Sequence, residues 1–432
     1  MTTAEVWLWG TRIGAVTLPA GERFASFEYD PDFRRSRIEL SPLMMPLEGQ
    51  VYRFPALAIE SFHGLPGLLA DALPDKYGNA LIDAWLATQG RTAADFNAVE
   101  RLCYTGARGM GALEFRPAQG PVSTTAEKIE IEELVKLASD VLTHRSALKV
   151  TFAGTDKAKA LRDILRVGTS AGGARAKAII AWNPESNEVR SGQVTAPAGF
   201  EYWLMKFDGV ESNKDHDLAD PQGYSMIEYA YSLMAVEAGV EMAECRLFDE
   251  GPRRHFMTRR FDRPGVAGER IHMQSLNDLS GLDFRQRGAH DYGALFQAAD
   301  QLGIDARDQL FRRMVFNVLA SNHDDHTKNH AFLLSEDGRW ELAPAFDLTF
   351  AYNPQGFWTS QHLMSVNGRF TDIRRANLLA VADRYLVGGA ARIVREVQEA
   401  VEAFPEFARA AGVAADRARG IEARLADVRA GL

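Results

Sequence analysis

Cysteine is nearly absent: Cys103 and Cys245 are the only two in 432 residues. Two thiols cannot staple a chain of this length or build a thiolate metal cage, so a reducing compartment is expected and a disulfide scaffold is excluded. A basic surplus is missing too. Asp and Glu number 58 against 49 Lys and Arg, a formal charge of -9, so no global field favours direct binding to DNA, RNA or anionic lipid. No stretch of 18 apolar residues is present, and the opening MTTAEVWLWG carries neither a cationic region nor an apolar core. Membrane insertion and secretion are therefore not expected, and a cytoplasmic location is. Repeats at solenoid or propeller periods are also lacking. What remains is an ordinary globular composition in a length that, at roughly 150 residues per domain, suits two or three domains.

The chain divides by pattern. Residues 1–116 open with short apolar segments at Glu5–Trp9 and Ala15–Leu18, broken by Gly10, Gly14 and Gly21, which predicts small β-structure; helical spacing follows at Ala80–Thr88. RPAQGPVSTTAEK, residues 116–128, reads as a linker. Residues 128–264 are mixed: helices over Ile129–Leu142 and Asp156–Leu165, a Gly-rich loop, strands at Ala178–Trp182 and Glu201–Phe207, and a helix over Met226–Ala238. Residues 265–432 are mostly helical, as in Asp308–Ala320, where Leu310, Phe311, Met314, Val315, Val318 and Leu319 recur along one face. The expected fold class is α+β in two lobes with a ligand cleft between them.

The densest chemistry is SNHDDHTKNH, residues 321–330. In one reading His323, His326 and His330 ligate a metal from one helical face, the site of a metal-dependent hydrolase. Asn322, the two Asp, Thr327 and Asn329 are poor helix formers, which favours a loop. In the other reading Asp324 and Asn329, five apart, form the D-x-x-x-x-N arrangement of a kinase catalytic loop. Asp324 would take the acceptor hydroxyl's proton, and Asn329 would offer an oxygen to Mg2+. A predicted hairpin, His330–Leu334 and Trp340–Ala345, then returns Asp347 of FDLT beside the loop as a second metal carboxylate. A capped polar loop and a surface hairpin are the plain alternative.

GTSAGGARAK, residues 168–177, has glycines that would admit phosphate oxygens and Lys177 as counter-charge, but it lacks the Walker ending and leads into a strand. A bland turn would look the same. Lys206 in YWLMKFDG is either an edge lysine reaching water or a phosphate anchor oriented by Glu228. Gly-rich loop, Lys206, Glu228, D-x-x-x-x-N and Asp347 occur in the order a bilobal kinase uses. His63, His144, His216, His255, His272, His290 and His362 read as core or surface residues. The run Arg253, Arg254, Arg259, Arg260 reads as a solvated face.

FHGLPGLLADALPDKYG (62–78), TGARGMGALEF (105–115), TSAGGARAK, YWLMKFDG, RRFDR (259–263), SNHDDHTKN and LAPAFDLT, in this order, resemble the HipA family of toxin–antitoxin serine/threonine kinases. The resemblance implies a kinase-like bilobal fold with an N-terminal module, and Mg2+-ATP-dependent phosphorylation of Ser or Thr on a cellular protein, such as an aminoacyl-tRNA synthetase, to arrest growth. It implies Asp324 as base, His326 and Lys328 as loop support, and Asn329 and Asp347 as Mg2+ ligands. ATP would be bound by Gly172, Gly173, Ala174, Lys177 and Lys206, with Arg259 and Phe261 at the adenine hinge. Ser170 falls where members carry an autophosphorylated serine, an off switch. A DNA-binding helix-turn-helix antitoxin is the implied partner. Arg259, GGARAK and RIHMQSLNDLSGLD depart from the better-known branch and imply a divergent subgroup. A kinase-fold binding protein without turnover is the main rival.

Overall fold

The protein is described by a computed structural model over residues 1–74, 76–88, 90–92, 94, 96–119, 126–143, 175–210, 223–265 and 269–432. Ser170, Gly172, Gly173, Ala174 and the helix expected over 156–165 lie outside the described residues.

Strands β1 (Thr2–Leu8), β2 (Thr11–Leu18), β3 (Ser26–Tyr29), β4 (Val51–Tyr52) and β5 (Leu113–Arg116) form an antiparallel sheet ordered β4-β3-β2-β1-β5. Alternation sets its inner face: Ala4, Val6 and Leu8 are buried, two residues apart along β1. A second antiparallel sheet runs β7-β6-β8-β10-β9, from β6 (Lys177–Asn183), β7 (Glu188–Ser191), β8 (Glu201–Lys206), β9 (Cys245–Glu250) and β10 (Arg253–Arg259). Helices Lys76–Thr88 and Ile131–Thr143 join its core, placing Tyr77, Leu81 and Leu134 with Ile180, Trp203 and Met205. The first helix thus belongs in sequence to the N-terminal module and in packing to the second sheet.

Helix Tyr224–Glu237 is the bridge between lobes. Ile227, Tyr231 and Met234 are buried in the core built by helices Gly293–Gln301, Arg307–Leu319, Arg375–Arg384, Ala390–Glu402, Phe404–Ala411 and Ala415–Gly431. Two small sheets interrupt this helical region: β11 (His272–Ser275), β13 (Ala331–Leu334) and β14 (Trp340–Leu342), and the parallel pair β12 (His290–Asp291) and β15 (Met364–Ser365). Strands of two to four residues leave no period to read, which is why only the β13–β14 hairpin was expected.

One expectation fails. Arg260 is not on a solvated face: it is buried, with its guanidinium donating to both oxygens of buried Asp262 at 2.9 and 2.7 Å. Arg259, the last residue of β10, does face outward and pairs with Glu244 at 2.9 Å.

Candidate active site

Lys206 ends β8, directly opposite Lys177 at the start of β6, and both are buried. Its ammonium donates to Glu228 on helix Tyr224–Glu237 and to Asp347. Burial alone would lower the Lys206 pKa; Asp347 and Glu228 more than reverse this and raise it, fixing the positive charge. Burial would likewise raise Asp347, but Lys206, with Lys177 and His326 nearby, holds it well below the usual carboxylate range. The edge-lysine reading of Lys206 is thereby set aside. Its neighbour Glu228 is fully enclosed, and its second oxygen accepts from Arg175 at 2.8 Å.

Asp347 is delivered by the β13–β14 hairpin. Ala343 N–H donates to Ala331 O at 3.0 Å, and Ala345 pairs with Glu241 and Ala243 beyond the bridging helix. Its φ of 57° is left-handed, a conformation that Asp tolerates better than bulkier side chains. Phe346, just before it, packs on Phe261 with ring centroids 5.7 Å apart, which puts Phe261 beside the FDLT turn.

The segment 321–330 is a loop with a single 3-10 turn, Thr327–Asn329, as its composition predicts. Helix Arg307–Leu319 stops where Ser321 turns left-handed, φ 50°, and Asn322 bonds back to Asn317 O at 3.0 Å. His323 N–H then donates to Ala351 O and Ala351 N–H to Ser321 O, at 3.1 and 3.2 Å. The loop and the segment after Asp347 are therefore zipped together. Asn329 Nδ2 donates to Asp324 O at 2.9 Å, and His326 Nε2 lies 3.8 Å from Asp324 Oδ1.

The two adjacent aspartates have opposite fates. Asp324 is about one-third exposed. Asp325 is buried: it accepts from Tyr292 Oη at 2.8 Å and Leu363 N at 2.7 Å, and lies 2.8 Å from His362 Nδ1. The rival trio of metal-binding histidines is dispersed. His323 is buried against His362, ring centroids 4.1 Å apart, and burial first, with His362, lowers its pKa far below the ordinary range. His330 is buried beside Tyr292, and burial lowers it to about 3. Among the described residues, no three His, Cys, Asp or Glu side chains are placed to hold a metal together.

Residues 169–415 match the HipA-like C-terminal domain and residues 4–116 the HipA N-terminal domain. The chain belongs to the HipA family. A HipA relative, the serine/threonine-protein kinase toxin HipA of Shewanella oneidensis, is 21% identical, over 92% of this chain and 88% of its own length. HipA solved in complex with HipB and operator DNA, from Shewanella oneidensis MR-1, superposes with a TM-score of 0.67 at 18% identity. That match covers 99% of this chain and 96% of the other. The α+β, kinase-like HipA fold expected from the motifs is thus the fold observed. A Helicobacter pylori kinase, CtkA, gives a TM-score of 0.40 at 13% identity over 61% of this chain and 90% of its own.

Sequence reasoning missed four side chains of this HipA-family centre: Arg175 on Glu228, Asp325 behind Asp324, and Asp71 and Asp278 on Lys328. Only Asp325 left a signal, as the second acid of the DD pair. Among the described residues no helix is long and apolar enough to cross a membrane.

Proposed function

We propose that this chain is an Mg2+-ATP-dependent serine/threonine protein kinase of the HipA type. The observation that carries the reading is Lys206, held by Glu228 from the bridging helix and by Asp347 from the hairpin, next to a loop presenting Asp324 and Asn329. That donor set fits the cofactor. An amide oxygen and a carboxylate are the hard ligands Mg2+ prefers, and a buried ammonium of fixed charge suits phosphate oxygens. Bound Mg2+-ATP would supply the phosphoryl group and the metal charge that offsets its oxygens.

The protein's own residues then divide the work. Asp324, the partly exposed acid of the DD pair, accepts the hydroxyl proton of a substrate Ser or Thr. Asn329 and Asp347 would hold the metal, and the bond from Asn329 Nδ2 to Asp324 O fixes the amide's orientation. Lys206 and Lys177 present positive charge to phosphates, and His326 and Lys328 support the loop. Phe261 and the backbone near Arg259 form the hinge toward adenine. The roles of Gly172, Gly173 and Ala174 in phosphate binding, and of Ser170 as an autophosphorylated off switch, rest on the family motif alone. A domain division at 1–116, 128–264 and 265–432 goes with this reading.

The HipA relative solved with HipB and operator DNA supports a DNA-binding antitoxin as partner, which agrees with the chain's acidity. The cellular target would be a protein whose phosphorylation arrests growth. Intact-protein mass spectrometry after incubation with Mg2+-ATP tests the reading. A phosphate-sized gain that Asp324→Asn abolishes supports it. Calorimetric ATP binding without transfer to self or to a protein substrate would instead indicate a binding protein.

A further inference from the structure

We infer that Asp71, in the N-terminal module, is a positioning residue for the catalytic loop, acting through Lys328; its effect on rate rests on the kinase reading above, its geometry does not. Asp71 follows the short helix Gly67–Ala70. Docking of that turn is close: a Cβ on Gly67 would stand 2.0 Å from the carbonyl oxygen of Asp278. Asp71 Oδ2 accepts the Ser275 N–H at 2.5 Å, and Oδ1 lies 3.0 Å from Ser275 Oγ, across 204 residues of chain.

The segment that Asp71 holds is the one that holds the loop. Lys328 Nζ lies 3.2 Å from Asp278 Oδ2 and 3.7 Å from Asp71 Oδ1. Thr327 Oγ1 donates to Asn277 Oδ1 at 3.2 Å, and Asn277 Nδ2 donates to Asp278 Oδ2 at 3.1 Å. Two consecutive loop residues, directly before Asn329, are thus anchored to Ser275–Asp278, and that segment is anchored to Asp71.

Charge argues that the arrangement positions rather than merely stabilises. Asp278 is fully buried, and one ammonium would neutralise it. A second carboxylate beside it is unfavourable by itself: burial, then Asp71, raise the Asp278 pKa well above the ordinary value, with Lys328 opposing. What the second carboxylate provides is a second direction of pull on Lys328, which fixes the ammonium between two points. The N-terminal module is in this sense part of the active centre.

Asp71→Asn isolates that pull. The amide can still accept from Ser275 N and donate to Ser275 Oγ, so the turn persists while the charge is lost. The test is amide hydrogen exchange on the full-length wild type, Asp71→Asn and a control, Arg53→Gln, which breaks an exposed ion pair of the same module. Exchange at residues 327–329 is expected to rise about ten-fold in Asp71→Asn alone, with β1 to β3 unchanged. The phosphorylation rate is expected to fall about ten-fold while the KM for ATP stays constant. Unchanged exchange at 327–329 in folded Asp71→Asn overturns the inference. Should that variant not fold, Lys328→Met reads the link from the other side: faster exchange at Ser275–Asp278 supports it, and unchanged exchange there refutes it. A wild type that transfers no phosphate would remove the kinase reading, and the exchange data would still decide this one.

Discussion

Glu228 divides its carboxylate between two cations, Oε1 to Lys206 and Oε2 to Arg175. Burial raises its pKa while both cations pull it down. Glu228→Gln would leave two cations with one carboxylate fewer in a buried site, and should cost about 3–5 kcal/mol. Arg175→Met should cost less, because Glu228 keeps Lys206. Denaturant unfolding of the two single variants and the double checks this order. Equal losses would mean that Arg175, not Lys206, is the main partner.

Asp324→Asn should slow phosphate transfer by about 10²–10⁴, the usual worth of a positioned base, without changing ATP affinity. Asp325→Asn should instead loosen the fold, because Asp325 accepts from Tyr292 and the backbone of Leu363. A rate assay beside a thermal melt separates them. A melt lowered equally by both variants would contradict the division of roles.

Stability should fall on mild acidification. Burial lowers His272 to about 4 and His330 to about 3, against about 6.5 in the unfolded chain. The unfolded state therefore binds the extra protons. Their contribution is fully present above pH 6.5 and is lost at about 1.4 kcal/mol per pH unit for each histidine as pH falls toward the folded values. Among the described residues neither ring nitrogen of His272 has a hydrogen-bond partner, so His272→Phe should flatten the slope between pH 6.5 and 4.5. An unaltered slope would show that other groups govern the acid limb.

Asp262 joins the N-terminal module to the segment that follows β10. It lies 2.8 Å from Arg263 Nη1, takes two bonds from Arg260, and accepts from Gly111 N at 2.8 Å. Its pKa is held far down, burial being outweighed by Arg260 and Arg263. Asp262→Ala should cost about 3–5 kcal/mol by leaving two guanidiniums buried and unpaired. Arg259→Gln, which breaks exposed pairs with Glu244 and Glu201, should cost about 0–1 kcal/mol. Urea midpoints give both, and similar losses would undo the distinction between the buried and exposed arginine.

Gly67→Ala should separate the module from the loop, since its Cβ would collide with the Asp278 backbone rather than with a movable side chain. A loss of about 1–3 kcal/mol is expected, as for other overpacked sites. Limited proteolysis should then cut near residues 62–71 before the rest of the chain. A variant as resistant as wild type would show that the contact yields at no cost.

What the sequence determined by itself was local or ordered. The apolar face of Arg307–Leu319 follows from helical spacing, the loop at 321–330 from helix-averse Asn and Asp, and the hairpin from two apolar runs around SEDG. The kinase-like reading came from the order of Lys206, Glu228, Asp324, Asn329 and Asp347, which survives without knowing any distance. The tertiary structure decided which groups meet. Asp324 and Asp325 are locally equivalent acids, and only the packing of Tyr292 and Leu363 against one of them turns it inward. Asp71 and Lys328, Arg175 and Glu228, and Arg260 and Asp262 on the Gly111 backbone meet through packing of separate elements. Side-chain contacts across such distances leave no period or spacing in the chain, so three-dimensional packing alone specifies them.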